Sequence, residues 1–387
     1  MSEIDIQITP QLLKDMGVWL GNEQVIPQEL LDRLDDEQQR LNLISLLNTH
    51  WLTGAFTIKL KQHNAFEALD VEIKAYLEHL DLFYLQRNQN IKKEVIYACR
   101  VLTKADIPVM VIKGATGLFN GTFKPLSTRF MTDVDLLVPE HLQTKAIQAL
   151  LNNGYWLEQD EMDVAAVNHH HAPPLARDNQ GLCCIEVHQW PIKKHHQAIL
   201  STKNTWLHAQ KLTLTDELEV LQMSATDQVI LSVAHCELSH RAFEHKQLDW
   251  RQLLNTMSLI NRYNQSINWH DVESSFACAG QKHVLDAHLH IIEHFFATTT
   301  PINSNTKHAQ EHIQSSIDLL CDKQGRISPW QTLATVLKGY SKESIDVIYG
   351  ADSYWSLTKG RLRHAARHLK MLSKPQYLTD FINRLRN

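Results

Sequence analysis

The sequence lacks the features that define several large functional classes. Its six cysteines form no Cys-x-x-Cys pair and its formal net charge is −5, so neither a cysteine-type zinc module nor a generally basic nucleic-acid binder is predicted. No apolar run approaches the roughly 20 residues that span a bilayer, and the N-terminal segment lacks the apolar core of a signal peptide. Neither GxxxxGK[ST] nor GxGxxG occurs, which argues against P-loop and Rossmann nucleotide sites. We therefore expect a cytoplasmic protein without a membrane segment and without a nucleic-acid partner.

The pattern of apolar residues changes twice along the 387 residues. Helical spacing dominates before residue 90 and again from residue 205 onward. Between these regions, short apolar runs bounded by turn-rich segments predict strands. The predicted strands are Val109–Ile112, Asp133–Val138, Asn168–Leu175 and Leu182–Val187. The sequence thus predicts an α+β fold, with a small mixed-sheet domain at residues 91–200 flanked by helical regions at residues 1–90 and 201–387.

A pair of aspartates on one predicted strand is the sharpest chemical feature of the sequence. Side chains alternate along a strand, so Asp133 and Asp135 project from one face while the apolar residues beside them face a core. Two carboxylates this close need a compensating cation, and Mg²⁺ or Mn²⁺ suits them because hard ions bind carboxylate and phosphate oxygens. Glu186, on a later strand, is a candidate third carboxylate. Taken alone, the Asp-x-Asp pattern also fits a solvated strand end.

The surrounding residues suit a phosphate-bearing ligand and favour a functional interpretation of the aspartates. Lys113 and Gly114 lie at a predicted strand-to-helix turn, where backbone N–H groups bind phosphate. Arg129 lies four residues before the first aspartate, where a guanidinium group can meet a triphosphate. Ser127 and Thr128 add hydroxyl groups. We expect these five residues to bind a nucleotide.

Five sequence elements follow one another in a characteristic order. They are Val111-Ile-Lys-Gly-Ala115, Ser127-Thr-Arg-Phe-Met-Thr-Asp-Val-Asp-Leu-Leu-Val138, Asn153-Gly-Tyr155, His169-His-His-Ala-Pro-Pro-Leu175 and Ile185-Glu-Val-His188. In this order they resemble the uncharacterised nucleotidyltransferase family of the polymerase-beta-like superfamily. The resemblance is strong over residues 95–190 and faint elsewhere.

The resemblance implies an enzyme that transfers a nucleotide, with AMP from ATP as the expected case, to a hydroxyl-bearing small molecule, peptide or protein. It implies that Asp133, Asp135 and Glu186 are catalytic and hold the metal ions, and that Gly114 contacts the nucleotide phosphates. Ala115 follows Gly114 where the wider superfamily has Gly or Ser, which predicts a methyl group near the phosphates. That methyl suggests the alternative, a non-catalytic nucleotide- or partner-binding protein that keeps the fold.

The sequence contains 23 histidines, which makes chance histidine motifs frequent. His169 and His171 share a face of a predicted strand, and His188 lies near Glu186. Substrate contact and polar packing fit His169 and His171 equally well, and a metal site fits them less well. His188 is a further candidate for substrate contact, or it orients Glu186 or a ligand. Two segments match the His-x-x-Glu-His pattern of one zinc peptidase class, His290–His294 and His308–His312. Because the pattern occurs twice without a third downstream ligand, we interpret both copies as surface or helix-packing histidines.

Overall fold

The first part of the chain is helical, as its apolar periodicity predicts. The computed structural model describes residues 7–21, 28–157, 169–177, 183–322, 356–359 and 361–362. Its first helices are α1 (Pro10–Gly21), α2 (Gln28–Asp35), α3 (Glu37–Thr49), α4 (Thr53–Gln62) and α5 (Val71–Lys104). Asp36 and Asp70 begin α3 and α5, because each side chain accepts a backbone N–H of the first turn.

A seven-stranded mixed sheet follows, and it confirms the predicted α+β class. Its strands are β1 (Met110–Ile112), β2 (Asp133–Leu137), β3 (Tyr155–Leu157), β4 (Leu175–Arg177), β5 (Cys184–His188), β6 (Gln210–Thr215) and β7 (Leu218–Gln222). Their spatial order is β3-β4-β5-β2-β1-β7-β6. The central strand β2 pairs antiparallel with β1 and parallel with β5.

The remaining helices lie beside the sheet and after it. They are α6 (Lys113–Gly117), α7 (Gln143–Leu151), α8 (Thr202–Leu207), α9 (Ala225–Ala234), α10 (Ala242–His245), α11 (Trp250–Tyr263), α12 (Trp269–Cys278), α13 (Lys282–Phe296) and α14 (Lys307–Asp322). A π-helical turn, His235–Ser239, continues α9. Across the part of the chain that the structure describes, no helix combines the length and apolar character needed to cross a lipid bilayer.

The hairpin of β6 and β7 corrects the prediction that residues beyond 205 are helical. Along both strands, buried apolar residues alternate with exposed polar residues, with Leu212 and Leu214 buried on β6 and Leu218 and Val220 buried on β7. This period of two is the strand pattern. Only five to six residues carry it in each strand, so the longer helical periodicity that follows obscured it.

The predicted strand Asn168–Leu175 is also largely wrong. Asn168 lies outside the described residues, and regular pairing begins only at Leu175 and ends at Arg177. Before it, His171 forms a single antiparallel bridge with His188. The physical reason is the pair Pro173-Pro174, whose nitrogens cannot donate ladder hydrogen bonds.

Two apolar cores lie on opposite sides of the sheet region. One packs α5, α6 and α7 against the sheet, with residues such as Val134 and Ile185 fully buried. The other joins helices from both ends of the chain, and α1 approaches α13 so closely that a Cβ at Gly17 would lie 2.7 Å from the Phe295 carbonyl oxygen. The predicted domain boundaries at residues 90 and 200 stay predictions, but the first and last helical regions share one core.

Candidate active site

Three predicted acidic residues lie on two adjacent strands at the centre of the sheet. The parallel register of β2 and β5 places Asp135 beside Glu186, and Asp133 lies two residues earlier on β2. All three line a cavity of about 390 Å³. Asp135 is almost fully buried, whereas Asp133 and Glu186 are half-buried. The structure therefore brings the predicted acidic triad together at one cavity wall.

Asp135 is held by two basic side chains. Its Oδ1 atom lies 2.7 Å from Lys113 Nζ and 2.8 Å from His188 Nε2. Burial alone would raise the pKa of Asp135, but the charge of Lys113 and the hydrogen bond from His188 outweigh it and hold this pKa well below its usual range. Burial would likewise lower the pKa of Lys113, but Asp135 raises it. The pair is therefore ionised at neutral pH.

The other two carboxylates have different surroundings. Asp133 Oδ1 accepts a hydrogen bond of 2.9 Å from Thr132, while burial and the charge of Asp135 raise the pKa of Asp133. Burial would raise the pKa of Glu186 too, but the hydrogen bond from His188 outweighs it and the pKa is lowered. Repulsion among the three acidic side chains favours a bound cation.

At this wall of the cavity, several atoms that could bind a metal ion lie close together. Asp135, Glu186 and His188 each offer one such atom, and the three atoms lie within 4.8 Å of one another. Asp133 faces the same cavity and adds a further carboxylate. A donor set dominated by carboxylate oxygens fits a hard divalent cation such as Mg²⁺ or Mn²⁺.

Gly114 lies where the chain turns from β1 into α6 at the cavity wall. A Cβ at this position would lie 2.9 Å from Met131 Cε and 3.3 Å from Arg129 Nε, so glycine allows these side chains to pack over the turn. Ala115 is 1% exposed in the apolar core and does not line the cavity. The prediction of a methyl group near the phosphates is therefore wrong, because this residue of α6 faces inward.

Two arginines line the cavity, one predicted and one missed. Arg129 Nη1 donates a 3.1 Å hydrogen bond to the carbonyl oxygen of Arg251, and its Nε has no partner among the described residues. Burial and the charge of Arg251 lower the pKa of Arg129 to about 9. Arg251 lies in the first turn of α11, where a positive charge opposes the helix dipole. This unfavourable position is the one feature of the sequence that could have indicated a functional role for Arg251.

Ser127 and Thr128 are not brought to this cavity. Ser127 is 2% exposed, and the Thr128 hydroxyl donates to the carbonyl oxygen of Pro125 at 2.7 Å. Asn88 on α5 donates to the carbonyl oxygens of Leu126 and Arg129, both at 2.6 Å. These residues shape the loop that carries Arg129.

Among the described residues, five histidines line the cavity. His169 and His171 were predicted there, and the structure adds His170, His235 and His240. His171 Nε2 lies 3.6 Å from Glu186 Oε2. Burial lowers the pKa of His171 to about 4 and lowers those of His170 and His235 well below the usual range. These three rings are therefore neutral at pH 7.

The helical region supplies the opposite wall with neutral polar groups. Gln228 and Ser232 come from α9, and Gln252 and Asn255 come from α11. Asn255 Nδ2 donates a 2.9 Å hydrogen bond to Ser232 Oγ. Sequence reasoning missed all four, because uncharged polar residues on a helix carry no motif.

The two His-x-x-Glu-His segments pack locally, as predicted. Glu293 accepts hydrogen bonds from the backbone and hydroxyl of Thr300 at 3.2 and 2.8 Å. His312 is 2% exposed and stacks on Phe243 with ring centroids 4.3 Å apart. Within the described residues, neither segment contributes to a cluster of metal-ligand atoms.

Comparison with known proteins adds one match. A family model described as an uncharacterised nucleotidyltransferase matches residues 36–297, which is more than half of the chain. The matched range begins at the N-cap of α3 and ends just after α13, so it includes the sheet and both walls of the cavity. No curated protein matches the sequence.

Proposed function

The chain belongs to the uncharacterised nucleotidyltransferase family, and from this premise we propose that it transfers a nucleotide, AMP from ATP in the favoured case, to an acceptor hydroxyl. The acceptor is a small molecule, a peptide or a protein. The observation that carries the proposal is the meeting of Asp133, Asp135 and Glu186 at a cavity that also contains Lys113 and a pair of arginines. In such a cavity the acidic side chains would bind the metal ions of a metal–triphosphate complex, and the basic side chains would bind its phosphates.

The carboxylates would hold the divalent ions. Asp135 and Glu186 are adjacent in register, and Asp133 projects from the same face of β2. When bound, two Mg²⁺ or Mn²⁺ ions would neutralise the charge that develops on the attacking and leaving oxygens. Lys113 keeps the Asp135 carboxylate ionised, and His188 orients it by contacting the same oxygen.

The arginine pair supports a triphosphate site. Arg129 and Arg251 both line the cavity, and neither forms an ion pair within 4.0 Å to a described acidic residue. Burial lowers the pKa of Arg129 most, and the positive charge of Arg251 lowers it further, so the two arginines repel each other. A bound polyanion would relieve the repulsion and accept bidentate hydrogen bonds. We therefore include Arg251 with Lys113, Gly114 and Arg129 in the nucleotide site.

Glu186 is the proposed general base. The acceptor oxygen forms a bond to the α-phosphorus while the bond from that phosphorus to the bridging oxygen breaks, and pyrophosphate leaves. Glu186 takes the hydroxyl proton, which its lowered pKa permits because the carboxylate is ionised at neutral pH. His188 Nε2, 3.4 Å from Glu186 Oε2, positions the base.

Calorimetric titration of the full chain with ATP, GTP, CTP and UTP, with and without Mg²⁺, tests the nucleotide site. We expect ATP binding to require Mg²⁺ and to be lost in Asp133→Asn. Asp216→Asn is the matched control, because Asp216 is an exposed carboxylate at the turn between β6 and β7. Failure of every NTP to bind under all conditions would contradict the proposal and favour partner binding.

A second pair of variants tests the arginines. Arg251→Ala should weaken ATP binding by about tenfold or more and leave AMP binding nearly unchanged, because the lost contacts go to the terminal phosphates. Arg262→Ala, an exposed arginine on the same helix α11, is the control and should bind ATP like the wild type. Equal ATP affinity in Arg251→Ala would remove Arg251 from the site.

A further inference from the structure

A second cluster of donor atoms lies in the same cavity and consists of nitrogen rather than oxygen. His169, His170 and His171 each offer one ring nitrogen, and the three nitrogens lie within 4.8 Å of one another. His170 is 7% exposed, lines the cavity, and has a buried Nδ1 without a hydrogen-bond partner among the described residues. A buried polar atom without a partner destabilises the fold, and a ligand at this atom would remove that cost.

The two neighbouring rings are arranged as metal-bound histidines usually are. His171 Nδ1 lies 2.7 Å from the carbonyl oxygen of Ala172, and His169 Nδ1 lies 3.2 Å from the carbonyl oxygen of His171. A carbonyl oxygen can only accept, so each Nδ1 carries the proton and donates it. The lone pair of each ring therefore lies on Nε2. In metal sites the non-ligating ring nitrogen makes the same hydrogen bond to a carbonyl or carboxylate oxygen.

We propose that His169, His170 and His171 bind a divalent transition-metal ion of the zinc class, at a site beside Glu186 and distinct from the one that Asp133 and Asp135 would form. Imidazole nitrogens suit Zn²⁺, whereas Mg²⁺ prefers oxygen. A Zn–N distance of about 2.0–2.1 Å places tetrahedral nitrogen ligands about 3.4 Å apart, so the three ring nitrogens, which lie within 4.8 Å of one another, would move closer together on binding. The three rings face the cavity next to Glu186, so the fourth position is open to solvent or substrate, as in zinc sites that act on ligands.

Metal binding is measured directly and does not depend on nucleotide transfer. Full-length protein is stripped with a chelator and titrated with Zn²⁺ by calorimetry. A parallel titration with Co²⁺ is followed by visible absorption, because the spectrum reports ligand type and geometry. We expect one Zn²⁺ per chain and a four-coordinate, nitrogen-rich Co²⁺ spectrum. Absence of stoichiometric Zn²⁺ binding in the wild type would overturn the proposal.

Variants then locate the ion. His169→Asn and His170→Asn should each weaken Zn²⁺ binding by about tenfold or more. His169 is exposed, so its replacement leaves packing intact, and an unchanged thermal unfolding curve separates ligand loss from misfolding. The control replaces His195 and His196, two adjacent histidines with ring centroids 4.0 Å apart, and should bind Zn²⁺ like the wild type.

Asp133→Asn separates this proposal from the proposed function. The expected result is loss of ATP binding with Zn²⁺ binding retained. Loss of Zn²⁺ in Asp133→Asn would assign the ion to the carboxylates and overturn the histidine site. Unchanged Zn²⁺ affinity in His169→Asn and His170→Asn would overturn it as well.

Discussion

At the scale of single residues, the two aspartates of the Asp-x-Asp pattern have different surroundings. The Asp135 side chain is 4% exposed and its Oδ1 contacts both Lys113 and His188. Asp133 is half-buried, and among the residues that the structure describes its Oδ1 accepts a hydrogen bond only from the neighbouring hydroxyl of Thr132. Asp135 is therefore part of the folded framework as well as of the cavity wall, while Asp133 is free to meet a ligand.

Replacing each aspartate should separate stability from binding. Asp135→Asn leaves the Lys113 ammonium without its charge partner, and we expect the free energy of unfolding to fall by on the order of 3 kcal/mol. Asp133→Asn should change it by less than about 1 kcal/mol, because no ion pair is broken. Urea denaturation at pH 7 measures both. Equal losses of unfolding free energy in the two variants would show that the contacts of Asp135 with Lys113 and His188 do not stabilise the fold.

At the scale of elements, the π-helical turn His235–Ser239 links the cavity wall to the helical interior. Glu237 Oε1 lies 2.6 Å from His288 Nδ1 on α13. His288 Nε2 lies 3.1 Å from Thr256 Oγ1 on α11, which in turn lies 2.8 Å from Ser232 Oγ on α9. All these side chains are buried, and Ser232 lines the cavity. The network fixes three helices and the turn relative to the site, and π turns often occur at functional sites.

Breaking this network should destabilise the helical region. His288→Ala leaves the buried Glu237 carboxylate without its imidazole partner and opens a cavity, so we expect a loss of about 3 kcal/mol in the free energy of unfolding. His294→Ala, an exposed residue on the same helix α13, is the matched control with a change near zero. Chemical denaturation of both variants measures the difference, and a His288→Ala variant as stable as the control would rule out the network.

At the scale of the whole molecule, the cavity belongs to both the sheet and the helices. The carboxylates come from β2 and β5, and the facing wall comes from α9 and α11. Arg129 of the sheet region donates to the carbonyl oxygen of Arg251 in the helical region, which joins the two walls. The apolar core shared by α1 and α13 holds helices from both ends of the chain together. Residues separated widely in sequence therefore define one site.

Neutral histidines that are buried or half-buried in several parts of the molecule should make its stability sensitive to acid. Burial lowers the pKa of His50 to about 4, that of His196 to about 4 and that of His312 to about 3, with Lys246 adding to the effect at His312. In the unfolded chain these histidines bind a proton with a pKa near 6.5, whereas in the folded protein they stay neutral at that pH. Their contribution to the stability of the folded protein is therefore fully present above pH 6.5 and is lost as the pH falls towards about 4.

Between pH 7 and pH 5.5 we expect the free energy of unfolding to fall by about 1 kcal/mol because of the fully buried His312. The half-buried His50 and His196 should each contribute a smaller fall. Urea denaturation at several pH values measures this slope. His312→Gln should flatten the slope, because glutamine does not titrate. A slope as steep in His312→Gln as in the wild type would contradict the assignment.

Several elements were predictable because their signals are local. The apolar runs of β1, β2 and β5 and the periodicity of the first helices follow directly from backbone geometry. The order of motifs identified the family that the comparison confirmed. The hairpin at residues 210–222 and the short strand at Leu175–Arg177 were not predicted correctly, because short alternating patterns and a Pro-Pro pair gave weak or contrary signals.

The sequence by itself determined the fold class, the family and which three acidic residues line the cavity. These features depend on side-chain alternation and on motifs within a few residues. Only the tertiary structure decided that Ala115 faces the core, that Ser127 and Thr128 lie off the cavity, and that Arg251 meets Arg129 across 122 residues. Contacts of that kind depend on how strands pair and helices pack. Many side chains far apart in the chain contribute to that packing, so no local pattern encodes it.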